Sequence, residues 1–80
     1  YYMYNLTLQF NGETFTKRPK KETLKRAILS LKPSVLYTEM YVTLKDKQDV
    51  RERKLTLVQG KNLFSNEDFL DVFIINLLLK

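Results

Sequence analysis

The sequence predicts an α+β domain in which two β-hairpins are each followed by a helix, in the order ββαββα. Apolar and polar residues alternate over residues 4–10 and 38–44, which is the period of a half-buried strand. Apolar residues recur at helical spacing over residues 24–31 and 69–77. A single sheet with both helices packed on one face would bury all of these stripes. The 80 residues are therefore interpreted as one small domain, residues 1–80.

The first hairpin is predicted from an alternating strand and a turn signal. The apolar positions are Tyr2, Tyr4, Leu6, Leu8 and Phe10. Asn11-Gly12 follows at once, and this dipeptide tolerates the positive φ angles that a two-residue type I′ turn requires. The chain is then expected to return over residues 13–17. Leu8 would face Phe15, and both side chains would lie in the core.

The first helix is predicted between Pro19 and Lys32-Pro33. Proline supplies a helix-compatible φ near the start of a helix. Apolar residues then follow the i, i+3, i+4, i+7 pattern at Leu24, Ala27, Ile28 and Leu31.

The second hairpin and the last helix follow from the same signals. Alternation over residues 37–44 predicts a third strand, and the polar residues 45–49 predict a turn after it. Residues 51–59 are predicted to form a fourth strand that ends at Gly60. Because the apolar positions of the fourth strand lie only in its second half, we expect its first half to project from the core or to lie at a sheet edge. Ser65, with Asp68 three residues later, resembles a capping box for the last helix. The β-branched content of residues 72–75 leaves a fifth strand as an alternative.

The core of the domain is expected to include residues from every predicted element. They are Leu6, Leu8, Phe10, Phe15, Leu24, Ile28, Leu31, Met40, Val42, Leu55, Leu57, Phe69, Phe73 and Leu77.

Element order also resembles another architecture. A hairpin, a crossing helix and two more strands within the first sixty residues look like a β-grasp, the ubiquitin-like arrangement, with an added C-terminal helix. The resemblance rests on element order, and the chain lacks the terminal Gly-Gly of conjugated members. It implies a β-grasp-like core plus a C-terminal helix as the alternative fold.

The last predicted helix is apolar on two sides. One stripe, which the sheet can bury, comprises Phe69, Leu70, Phe73, Ile74 and Leu77. A second apolar set comprises Val72, Ile75, Leu78 and Leu79. Because exposed apolar patches usually mark contacts, we expect this second set to bind a copy of this chain, another protein chain or missing C-terminal sequence. Association would also supply stability that a small domain without cysteine cannot gain from disulfides.

Basic residues are concentrated in the first part of the chain. Residues 1–61 contain 13 basic and 6 acidic side chains, whereas residues 62–80 contain 1 basic and 3 acidic side chains. The densest cluster comprises Lys17, Arg18, Lys20, Lys21, Lys25 and Arg26, and a second group comprises Lys45, Lys47, Arg51, Arg53 and Lys54. Phosphate backbones bind such surfaces through counterion release. Tyr37 and Tyr41, on the same side of the third predicted strand, would be placed to stack bases or, alternatively, to contact a protein partner, since tyrosine is also favoured at interfaces.

DNA or RNA is therefore the alternative partner, and a solvated basic face that maintains solubility is the competing interpretation. We expect the primary function to be that of a small interaction or assembly module that self-associates or docks through its C-terminal helix.

Catalysis is not expected. The chain has no His and no Cys, which are the commonest general base and the most reactive nucleophile. The acidic residues Glu67, Asp68 and Asp71 lack the oxygen spacing of a calcium or magnesium loop, and they suit the N-terminus of a helix. We expect a non-enzymatic protein with no cofactor, no bound metal and no small-molecule substrate.

Localisation is expected to be cytoplasmic. The longest apolar run, residues 72–79, is interrupted by Asn76 and is shorter than the ~20 residues of a membrane-spanning helix. No basic segment followed by an apolar stretch and a small-residue cleavage site resembles a signal peptide. The Lys, Asn and Ile usage and the small size suit a phage or mobile-element protein, which would act in the host cytoplasm.

Overall fold

The computed structural model describes residues 3–33, 37–47 and 49–79. Within these ranges the elements follow the order β1 (Asn5–Phe10), β2 (Glu13–Lys17), α1 (Leu24–Ser30), β3 (Glu39–Lys45), β4 (Val50–Thr56), α2 (Leu57–Ser65) and α3 (Glu67–Leu79). A short 3-10 turn, Lys21–Thr23, leads into α1. The predicted ββαββα order is confirmed, and α2 is an additional helix between β4 and α3. Neither the predicted order nor the β-grasp-like alternative included that helix.

The four strands form one antiparallel sheet in the order β2-β1-β3-β4. β4 is an edge strand, which is one of the two arrangements expected for the first half of the fourth strand. Leu8 of β1 lies opposite Phe15 of β2, as the hairpin register predicts. Asn11 and Gly12 have φ angles of 53° and 76°, so both central turn residues adopt the left-handed conformation that this turn requires.

The core lies between one face of the sheet and the helices. β1 and β3 contribute Leu6, Leu8, Phe10, Met40, Val42 and Leu44, which are all buried on this face. They form one cluster with helical residues Leu24, Ala27, Ile28, Leu63, Leu70 and Leu77. The predicted packing of the helices on one sheet face is confirmed. Leu44 and Leu63 are core residues that the predicted core did not include, whereas Leu70 is buried as its position in the sheet-facing stripe of the last helix predicts.

Phe15 is not buried, although its position opposite Leu8 was predicted correctly. Its side chain is 38% exposed because β2 is an edge strand whose five residues all remain accessible. The ring stacks on the buried ring of Phe10 with their centroids 5.3 Å apart. Four other residues predicted in the core are only half-buried and pack against the core cluster: Leu31, Leu57, Phe69 and Phe73.

The predicted fourth strand is three residues too long, because residues 57–59 form the first turn of α2. Thr56 is the N-cap: its Oγ1 accepts a hydrogen bond from the Gln59 backbone N–H at 3.3 Å. In return the Thr56 backbone N–H donates to Gln59 Oε1 at 3.0 Å. This reciprocal capping box begins a helix where alternation alone favoured a strand. Gly60 lies inside α2 and does not end a strand.

The cap of α3 is Asn66, so the prediction of Ser65 was wrong by one residue. Asn66 Oδ1 accepts a hydrogen bond from the Phe69 backbone N–H at 3.2 Å. Ser65 is the last residue of α2, and its hydroxyl donates to the Lys61 carbonyl oxygen at 2.6 Å. Residues 72–75 are helical, which excludes the alternative of a fifth strand there.

Candidate interaction surfaces

An apolar stripe is exposed on the outer face of α3. Val72, Ile75 and Leu79 are spaced at i, i+3 and i+7 and are 56%, 55% and 74% exposed. Residues at this spacing share one helix face. We call these three residues the α3 stripe. Leu78, which was predicted to belong to the same surface, is instead half-buried and packs against the core.

The rotation of α3 that exposes this stripe is fixed by contacts on its other sides. Leu70 and Leu77 are each only 1% exposed and anchor the helix in the core. Lys25 of α1 bridges Glu67 and Asp71 with Nζ···O distances of 3.2 and 3.1 Å. Hydrogen bonds from Asp71 and then Glu67 raise the pKa of Lys25 above its ordinary value. Lys25 therefore joins α1 to α3 and is already engaged with two carboxylates.

Half of the predicted basic cluster lines one shallow groove between β2 and α1. Lys17, Arg18 and Arg26 surround a volume of about 310 Å³, which is also lined by Pro19, Thr23, Ala27 and Ser30. We call this the cationic groove. Lys20 and Lys21 lie at the 3-10 turn that precedes α1, and Lys25 faces α3. The sequence cluster is therefore divided between two surfaces.

The cations of the groove differ in their ion pairing from Lys25, Arg51 and Lys54, which contact carboxylates. Among the described residues, Lys17, Arg18 and Arg26 form no salt bridge with a carboxylate. They remain available to an external anion.

The second basic group is partly neutralised by its neighbours. Arg51 contacts Asp46 at 3.3 Å and Asp49 at 3.7 Å, and its side chain is largely buried beside the β3–β4 turn. Lys54 pairs with Glu39 across the open sheet face at 3.0 Å. The hydrogen bond from Lys54, with a smaller contribution from the Tyr41 hydroxyl, lowers the pKa of Glu39, and the same contact with Glu39 raises the pKa of Lys54.

The two tyrosines predicted to stack bases do not share a surface. Tyr37 precedes β3 and is buried, with its ring tilted against Phe10 at a centroid distance of 5.7 Å. Burial raises the pKa of its hydroxyl. Tyr41 lies on the opposite, open face of the sheet, where its hydroxyl donates to Glu39 Oε1 at 3.2 Å. The proposed pair of stacking tyrosines is therefore wrong.

A second groove, which the sequence did not predict, adjoins the cationic groove. Its volume is about 350 Å³, and its lining is Phe10, Glu13, Phe15, Ser30, Leu31, Lys32 and Pro33. We call it the aromatic groove. Ser30 lines both grooves, so they adjoin at this residue, and we refer to the two together as the β2–α1 cleft. The exposed Phe15 ring is the aromatic surface of this cleft.

Within the described ranges, no helix is long and apolar enough to cross a membrane. No group of three or more His, Cys, Asp or Glu side chains in these ranges is placed to hold a metal ion. No protein family, curated protein or solved structure matches the chain. Function is therefore argued from the α3 stripe and the β2–α1 cleft.

Proposed function

We propose that this protein is a small non-enzymatic assembly module that pairs with a second copy of itself through the α3 stripe. The observation that carries the proposal is the exposure of three large aliphatic side chains on one face of a helix whose opposite face is anchored in the core. The proposal includes action in the cytoplasm, as expected from the sequence.

A second copy is the partner that the stripe fits best. A two-fold interface uses the same patch on both subunits, so that patch must be complementary to itself. If two α3 helices cross antiparallel between positions 75 and 76, Val72 of each copy meets Leu79 of the other. The two Ile75 side chains then meet near the axis. The paired segment, residues 72–79, contains no carboxylate.

The size of the stripe favours a reversible dimer. Fully burying an exposed aliphatic side chain contributes about 1.5 to 3 kcal/mol. Six side chains, three from each copy, are between half and three-quarters exposed before pairing. Their burial would contribute on the order of 5 to 10 kcal/mol, which exceeds the cost of association when that cost lies at the lower end of its range of roughly 4 to 15 kcal/mol. We therefore expect the monomer and the dimer to interconvert as concentration changes.

The double substitution Ile75→Glu with Leu79→Glu is expected to give a folded monomer. Both side chains are exposed in the isolated chain, so the charges disrupt the pairing without entering the core. Sedimentation velocity over a range of concentrations measures the effect, and circular dichroism confirms the fold. The matched control is Val50→Glu with Val58→Glu, which places the same charges at two equally exposed aliphatic positions on β4 and α2.

The control pair is expected to dimerise as the unmodified protein does. The proposal would be contradicted if the unmodified protein kept the mass of a monomer at every concentration, or if both double variants reduced dimerisation equally.

A further inference from the structure

We infer that the cleft between β2 and α1 binds single-stranded nucleic acid, with phosphates held by Lys17, Arg18 and Arg26 and a base packed against Phe15. This inference concerns a different surface from the α3 stripe and does not depend on the proposed dimer.

The cationic groove supplies the phosphate contacts. Its three cations lie around one concave surface and have no carboxylate partner among the described residues. Two of them are arginines, whose planar guanidinium groups bind phosphate oxygens in a bidentate manner. Lys25, although adjacent in sequence to Arg26, is excluded from this site because it bridges Glu67 and Asp71. The fold therefore separates Lys17, Arg18 and Arg26 from the other cations of the longer basic segment.

The aromatic groove supplies a stacking surface at the other end of the cleft. Phe15 is 38% exposed, and its inner side stacks on Phe10 at 5.3 Å. Phe10 is itself buried, so it supports the Phe15 ring from below. Proteins that bind single strands combine a positively charged groove with aromatic rings on which bases stack. Here the two features adjoin at the shared residue Ser30.

The charges along the cleft favour a single strand over a duplex or an anionic membrane. Glu13 lines the aromatic groove together with Lys32. Because their charges offset each other, this end of the cleft attracts a phosphate or a lipid headgroup less than the cationic groove does, and the Glu13 carboxylate accepts hydrogen bonds from the amino group of a base. Stacking on Phe15 also requires an unpaired base whose face is accessible, which a duplex does not offer.

The test uses fluorescence anisotropy with a labelled oligonucleotide of about twelve nucleotides, as oligo-dT, oligo-dC and oligo-U, at several salt concentrations. We expect log affinity to fall linearly with log salt, with a slope near −2 for about three phosphate contacts on a single strand. Arg18→Glu with Arg26→Glu is expected to weaken binding by at least about tenfold and to reduce the slope. Phe15→Ala is expected to weaken binding about tenfold with little change in slope, whereas Phe15→Tyr should bind as the unmodified protein does.

The matched control is Lys45→Glu with Lys61→Glu, which makes the same change in net charge at exposed positions outside the cleft. It is expected to weaken binding less than about threefold. If the charge-reversed groove variant does not fold, Arg18→Ala with Arg26→Ala replaces it and carries the same expectation. The monomeric variant Ile75→Glu with Leu79→Glu should retain binding, which separates this site from the proposed dimer.

Several results would overturn the inference. They are no salt-dependent binding to any of the three oligonucleotides, equal losses in the groove and control variants, or no effect of Phe15→Ala. Tighter binding to duplex DNA, or to vesicles containing phosphatidylserine, than to single strands would assign the basic surface to another partner and would also overturn it.

Discussion

Truncation of Leu70 to alanine is expected to destabilise the domain by about 2 to 5 kcal/mol, whereas truncation of Ile75 on the same helix should cost less than about 0.5 kcal/mol in the monomer. Leu70 is 1% exposed and belongs to the cluster that joins the helices to the sheet, so its removal leaves a cavity. Ile75 has more than half of its surface in solvent. Small domains have total free energies of unfolding of about 5 to 15 kcal/mol, so the loss caused by Leu70→Ala would be a large fraction of the total stability.

Urea unfolding, followed by circular dichroism at a concentration where the protein is monomeric, measures both changes. The two substitutions form a matched pair because each converts an aliphatic residue of α3 to alanine in the interior of the helix. Their contrast therefore reports which side of α3 faces the core. Equal destabilisation by the two substitutions, or a larger effect at Ile75, would show that α3 is rotated differently.

Replacement of Gly60 by alanine is expected to destabilise the protein by about 1 to 3 kcal/mol. In an exposed helix the same change would stabilise by roughly 1 kcal/mol, because alanine is the better helix former. Gly60 is buried in α2, and a Cβ atom there would overlap the Tyr37 hydroxyl and lie 2.9 Å from Cε2 and Cζ of the same ring. Steric conflict with a buried ring outweighs helix propensity here.

Thermal unfolding of Gly60→Ala, alone and combined with Tyr37→Leu, tests this explanation. Replacing the Tyr37 ring by the shorter leucine side chain should reduce the destabilisation caused by alanine at position 60. The two substitutions together should therefore destabilise the protein less than the sum of their separate effects. An increase in melting temperature for Gly60→Ala, or strict additivity in the double variant, would exclude the proposed contact between α2 and Tyr37.

Local patterns in the sequence account for most of the fold. The Asn11-Gly12 turn and the alternation on either side of it specify the first hairpin and its register, since both depend only on neighbouring residues. Helix α2 was missed for a local reason. Leu55 and Leu57 continue a two-residue alternation, which masked the capping box that Thr56 forms with Gln59.

The candidate surfaces depend more strongly on tertiary structure. Helical periodicity predicts the outward position of Val72, Ile75 and Leu79, but it does not reveal that the core extends to Leu78. Lys25 was grouped with its basic neighbours because its carboxylate partners lie more than forty residues away in sequence. The exposure of Phe15 likewise depends on how far the helices cover edge strand β2, which no local pattern specifies.

Oxidative cross-linking of the Ile75→Cys variant tests the proposed assembly most directly. The chain has no cysteine, so any disulfide must join the new residue to its equivalent in a second copy. An antiparallel crossing between positions 75 and 76 places the two thiols near the two-fold axis, within the narrow separation that a disulfide requires. Val58→Cys on α2, at a position that is 68% exposed, provides the matched control. We predict that Ile75→Cys forms a covalent dimer rapidly and that Val58→Cys forms little. Pairing through the α3 stripe would be contradicted by equal rates for the two variants, or by an Ile75→Cys protein that remains monomeric.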